Sequence, residues 1–326
     1  MPVAAHFETA RGGRRRRTPD RLSSTVAVWT LLLACSLNSV AGDAVAPDLV
    51  PVTMMIGFSS AAFLQSNRND VEAAFKVLAE TIGRKRGFQV TVQTRFFSDP
   101  TAFFAAIKAG EINFAIFDSL SYVSERRRSD LTPIFIAASG GTTGRRYLVL
   151  VRRDSGLDSL EALRSKRIVE LQAPNLSVGH TWLLNLLLAK RVESHEAFFR
   201  SIEQVARPSA AVLPVFFGRQ DACLVDDLGF KLMQELNPQV GAQLRAVATS
   251  VPLVGAVVCA SESNWTSRKF RPVLLQALSE LHLEPAGRQI LTLFKIDQLL
   301  PYEEAHLDTI RELWSSYTKL RTEARP

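Results

Sequence analysis

Ser139-Gly140-Gly141-Thr142-Thr143-Gly144-Arg145-Arg146-Tyr147-Leu148-Val149-Leu150-Val151 is the stretch whose reading decides the architecture. Residues 139–144 carry a strong loop signal, because glycine enters turn conformations at no steric cost and Ser and Thr hydroxyls bond locally instead of joining a ladder. Tyr147–Val151 is then a continuous apolar run of strand length. On both sides of this break the chain repeats one grammar. Before it stand the strands Val52–Gly57, Phe88–Phe96, Ile112–Phe117 and Pro133–Ala138, separated by helices at about 69–85 and 103–108. After it come Tyr147–Val151, Arg167–Leu171, Ile202–Ala206 and Ala222–Val225, with helices at 157–163, 178–190 and 211–217. Alternating strands and helices predict sheets covered by crossover helices, so the glycine-rich segment is read as a crossing between two similar units.

Val251-Pro252-Leu253-Val254-Gly255 offers a second crossing into a strand at Gly255–Ala260, after which the pattern is helical near 267–281, 285–294 and 302–321. Three helices without a sheet of their own need one to cover, which predicts a return to the first unit. The expected fold class is α/β, two-lobed, each lobe a mostly parallel sheet flanked by helices, with two hinge crossings. Lobe one takes residues 46–144 and 256–326, lobe two residues 145–255. The 326 residues, 47% of them hydrophobic, suffice for two cores.

A formal charge of +7 invites a nucleic-acid reading. Its location argues against one: Arg11, Arg14, Arg15, Arg16, Arg17 and Arg21, opposed by Glu8 and Asp20, put more than half of that excess into residues 1–41. The basic start runs into the apolar stretch Val26–Leu37, too short to span a bilayer, and then into Asn38-Ser39-Val40-Ala41. That order predicts a signal peptide over 1–41 and export to the periplasm. Anchoring as a lipoprotein through Cys35 is a second reading. Cys223 and Cys259 sit in apolar runs, where cysteine is usually a small buried hydrophobe, and their pairing stays open. The scattered histidines and lack of CxxC or HExxH spacing predict no metal and no cofactor.

Ligands of open sheets gather at strand carboxyl ends. Those ends nominate Ser59 and Ser60, then Asp118, Ser119 and Tyr122, then Asn175, Ser177, Val178, Gly179 and His180, and finally Asp226 and Asp227. Ser177 stands where a helix N-cap is wanted, a position that favours anions, and Gly179 is read as letting a ligand near the backbone. Arg145 at the crossing suits bidentate oxyanion recognition. The Asp residues could serve acid–base chemistry, but no nucleophile with a base partner accompanies them, so a binding protein rather than an enzyme is expected.

With these segments in place, the sequence resembles the phosphate/phosphite/phosphonate-type periplasmic binding proteins, relatives of the sulfonate binders and of the transferrin-like type II binding fold. The resemblance covers about residues 50–315. It is carried by Ser98-Asp99, by Gly110-Glu111-Ile112-Asn113-Phe114-Ala115-Ile116, by Ser119 and Tyr122, by Asn175-Leu176-Ser177-Val178-Gly179, by Gly218-Arg219-Gln220-Asp221-Ala222 leading to Val225-Asp226-Asp227, and by Gly287-Arg288-Gln289-Ile290-Leu291. It implies a monomeric receptor that closes on a small anionic ligand and delivers it to an ABC transporter permease, with Ser177 and nearby amides gripping the oxyanion and Ser119 and Tyr122 facing it. On the same fold a sensing subunit presenting the anion to a membrane histidine kinase is the alternative, and an enzyme a more remote one. The chain departs from the family pattern at Pro100, where a ligand-touching Tyr is usual, at Arg145, where an aromatic is usual, and at Pro208-Ser209, where His-Glu is frequent. Loss of that Glu together with gain of Arg favours an anion lacking an amino group.

Overall fold

A computed structural model describes residues 48–60, 68–125, 131–171, 178–192 and 194–324. In chain order the elements are β1 (Val50–Ser59), α1 (Arg68–Lys85), β2 (Phe88–Phe97), α2 (Pro100–Lys108), β3 (Phe114–Asp118), α3 (Ser119–Glu125) and β4 (Leu131–Ala138). Beyond the glycine-rich crossing follow β5 (Tyr147–Arg152), β6 (Arg167–Leu171), α4 (Val178–Ala189), α5 (His195–Phe198), β7 (Ser201–Val205), α6 (Pro208–Phe216), β8 (Ala222–Asp226), α7 (Asp227–Leu236), α8 (Pro238–Gln243) and β9 (Leu244–Thr249). The return comprises β10 (Ala256–Ser261), α9 (Phe270–Ser279), α10 (Pro285–Leu293), β11 (Gln298–Pro301) and α11 (Asp308–Glu323). The expected leader, with Cys35, lies outside the described residues.

Two sheets result, ordered β11-β4-β10-β3-β1-β2 and β7-β6-β8-β5-β9. The sequence predicted mostly parallel sheets, and most strands of each sheet do share one direction, with β10 and β11 reversed in the first and β5 in the second. β1 runs parallel to β2 and β3, but β10 is antiparallel to β3 and β4, and β5 is antiparallel to β8 and β9. The strands that follow the two crossings enter the middle of each sheet from the opposite direction, so both sheets are mixed.

Local chemistry explains the ordered pieces. β1 reads as one apolar run because it lies between β2 and β3 with both faces covered. The buried Asn113 fastens β3 to β1, accepting from Met55 N at 2.8 Å and donating to Thr53 O at 3.1 Å. Asp99 caps α2 by accepting from Thr101 N at 3.0 Å and Ala102 N at 3.2 Å, and Pro100 occupies the first turn, where its missing N–H costs nothing. The departure at Pro100 thus serves the helix start.

Of the apolar clusters, one is confined to the first sheet and another to the second. A third is continuous through both: Phe103, Phe117 and Leu120 join Val149, Ile168, Leu183 and Leu187, and Leu307, Ile310 and Leu313 belong to it as well. The terminal helices were expected on lobe one alone. α9 packs near β11 and α10 on α1, as anticipated, but α11 packs on both α3 and α4. Ser316 Oγ donates to Asn185 Oδ1 of α4 at 3.0 Å, and Thr309 Oγ1 donates to Pro252 O of the second crossing at 3.2 Å. The physical reason is that α4 is apolar around most of its circumference and needs cover away from its own sheet as well. Cys223 and Cys259 are free, buried and in different sheets, and burial pushes both thiols up, away from reactivity.

Candidate functional site

The two crossings touch each other. Arg145 N donates to Leu253 O and Leu253 N donates back to Arg145 O, both at 2.9 Å. Gly144 permits this approach, since a Cβ there would lie 2.9 Å from Leu253 N and 3.0 Å from Pro252 C. Ser119 belongs to the same junction: its buried hydroxyl donates to Val254 O at 2.5 Å and its amide to Gly255 O at 3.1 Å.

Beside this junction opens a cavity of about 560 Å³ with walls from both sheets. Its polar part collects Asp118 from the end of β3, Ser139, Thr142, Thr143 and Arg145 from the first crossing, Tyr147 from β5, Asp226, Asp227 and Lys231 from the β8–α7 corner, and Lys295 from beyond α10, with the apolar Val178 of α4 also on the wall. Its remaining wall is apolar and belongs to the first sheet and its helices, including Phe75, Leu78, Phe114, Ile116, Leu291 and Phe294. Concave, mainly apolar space with a few convergent polar groups is the usual form of a small-molecule site.

Several polar groups already serve the fold. Asp118 accepts from Ser59 Oγ at 2.8 Å and from Ser121 N at 2.9 Å, so it secures β1 and the start of α3. Asp226 caps α7 through Gly229 N at 2.7 Å, and Asp227 accepts from Leu228 N at 2.9 Å. Burial, and after it the negative charge of Asp226, push the Tyr147 phenol far up despite Arg145, so that it stays a neutral O–H donor. Arg145 reaches Lys295 O at 3.5 Å, at the limit of a hydrogen bond.

Of the residues nominated from sequence, the cavity brings together Asp118, Arg145, Val178, Asp226 and Asp227. Ser59 stands behind them as the partner of Asp118, and Ser60 does not line the wall. Ser119 is turned to the hinge. Tyr122 is buried in the shared apolar cluster, its ring 6.0 Å from that of Phe117. Gly179 makes room for a ring rather than for a ligand, because a Cβ would stand 2.4 Å from Tyr147 Cδ1. His180 points to Glu170, with Nδ1 2.9 Å from Oε2. Asn175 and Ser177 lie outside the described residues. Sequence reasoning missed Tyr147, Lys231, Lys295 and the apolar wall. Tyr147 had a signal, as the first residue of a strand leaving the crossing, whereas the others reach the cavity only through helix docking.

Comparison with known proteins bears on the fold and the family. The family model of the ABC transporter, phosphonate, periplasmic substrate-binding protein matches residues 61–307. A Xanthomonas citri protein solved with bound ATP superposes with a TM-score of 0.64 at 15% identity, over 83% of this chain and 98% of that one. A binding-protein component of an ABC phosphonate transporter from Pseudomonas aeruginosa gives 0.61 at 14% identity, over 85% and 90%. PhnD1 from Prochlorococcus marinus in complex with methylphosphonate gives 0.56 at 16% identity, over 84% and 99%. At such identities these structures speak for the two-lobed α/β fold. The family match spans most of the chain and describes solute-binding proteins rather than enzymes, and the chain belongs to the phosphonate family of periplasmic substrate-binding proteins of ABC transporters.

Proposed function

We propose that the protein is exported by way of residues 1–41, captures a small oxyanion of the phosphonate, phosphite or phosphate type between lobe one (46–144 and 256–326) and lobe two (145–255), and hands it to a membrane permease. The observation that carries this reading is a single cavity walled by both sheets, with Arg145 at the crossing and Lys231 and Lys295 at its polar part. A ligand that touches both walls stabilises the closed arrangement by its differential contacts. The neighbouring carboxylates do not defeat an anion, since Asp118 and Asp226 are engaged by donors of the fold. The apolar wall suits an organic substituent on the oxyanion rather than an amine.

Thermal unfolding of the untagged protein at low salt, with methylphosphonate, phosphite, phosphate, a sulfonate and a carboxylate in turn, tests the reading. At a hundredfold excess over Kd a bound anion stabilises by about 2.7 kcal/mol, a readily measured rise in Tm. Arg145→Ala is expected to weaken the best anion at least about tenfold, roughly 1.4 kcal/mol, through loss of charge-assisted hydrogen bonds. If no anion raises Tm, the oxyanion assignment is wrong while the fold stands.

A further inference from the structure

A second constellation lies on lobe two, and none of its members lines the cavity. Glu170 is on β6, on the strand face it shares with Ile168, and is completely buried. His180 enters from the first turn of α4 and His195 from the start of α5. His180 Nδ1 lies 2.9 Å from Glu170 Oε2, and His195 Nε2 lies 2.7 Å from Glu170 Oε1. Three elements thus deliver two imidazoles and a carboxylate to one point, with the three donor atoms within 4.8 Å of one another.

We propose that Glu170, His180 and His195 form a binding site for a divalent ion of the zinc class. Zinc–imidazole bonds of about 2.0–2.1 Å at a tetrahedral angle put two ring nitrogens about 3.3 Å apart, and the donor atoms here lie within 4.8 Å of one another, so an ion draws the rings together by at most about 1.5 Å. Two nitrogen donors and one carboxylate suit zinc, cobalt or nickel and leave a coordination position for water.

The surroundings of His195 distinguish this site from a simple hydrogen-bonded tie. Its other nitrogen, Nδ1, faces the Glu196 carboxylate at 3.9 Å. In a tie between a neutral imidazole and the Glu170 carboxylate the proton sits on Nε2, and Nδ1 turns a lone pair toward a second anion. With an ion on Nε2 the proton moves to Nδ1, and the exposed Glu196 carboxylate has to close from 3.9 Å to become the outer-shell hydrogen-bond partner that metal-bound histidines generally have. His180 changes tautomer likewise, moving its proton to Nε2, so no net proton is released from two neutral rings. The ion would pin the first turn of α4, which contributes Val178 to the cavity wall.

Isothermal titration of untagged, chelator-treated protein with Zn2+ is expected to show one saturable equivalent per chain, and Co2+ added instead should develop the visible d–d bands of a low-coordinate N/O site. H180A and H195A should each weaken the ion at least tenfold and abolish the Co2+ bands, while H282A changes neither. Absence of a saturable equivalent in the intact protein overturns the proposal. So do Co2+ bands that survive both substitutions, and that result needs only the folded fraction of each variant.

Discussion

Ile310→Ala is expected to lower the stability of the whole molecule by about 2–5 kcal/mol, the range for emptying a fully buried aliphatic site. Ile310 is completely buried in the apolar cluster that continues through both sheets, on a helix packed against α3 and α4. A loss there is felt on both sides of the junction. The check is urea unfolding in variants that keep Trp182 of α4 or Trp265 of the first lobe as the sole tryptophan. Both reporters should give one coincident transition, and Ile310→Ala should move both midpoints together. Well-separated transitions, or a loss below about 1 kcal/mol, would show that the terminal helix does not join the lobes energetically.

The second large effect concerns acid. Burial alone would raise the Glu170 carboxyl, but hydrogen bonds from His180 and His195 outweigh it and hold the group at about 2, against an ordinary 4.5. A depressed folded-state value means stability that is present above pH 4.5 and is lost as pH falls toward 2. The shift corresponds to about 3 kcal/mol at pH 6, falling to less than half of that by pH 3. Glu170→Gln is therefore expected to cost about this much near neutrality and progressively less in acid. Parallel urea-stability curves for the two proteins between pH 6 and pH 3 would falsify the assignment.

Much of the fold was legible because the deciding residues are local. β1, β3 and β5 are interior strands and read as uninterrupted apolar runs, and the glycine-rich crossing separates the sheets where the sequence breaks. β9 escaped because only Leu244 of its six residues is fully buried, which leaves an edge strand without a periodic signature. α7 was missed although Leu228, Leu232 and Leu236 repeat at helical spacing; the structure leaves that stripe exposed and buries Gly229 and Met233 instead. The reversed direction of β10 and β5 was not legible, since both would read the same whether they entered parallel or antiparallel.

At the site, position was legible and orientation was not. Strand-end logic nominated Asp118, Asp226 and Asp227, which line the cavity, yet it could not tell that Ser119 turns to Val254 or that His180 turns to Glu170. Those choices depend on which partner the other sheet or the preceding strand offers. Lys231 and Lys295 arrive on α7 and after α10, and their place on the cavity wall exists only once those helices have docked.

The reciprocal hydrogen bonds of Arg145 and Leu253 make the two connections a short antiparallel ribbon rather than two independent tethers. A ribbon flexes easily out of its own plane but resists shear within it, since sliding one strand past the other breaks both bonds at once. Such a ribbon would confine any swing of one sheet against the other to nearly one degree of freedom, like a strap hinge.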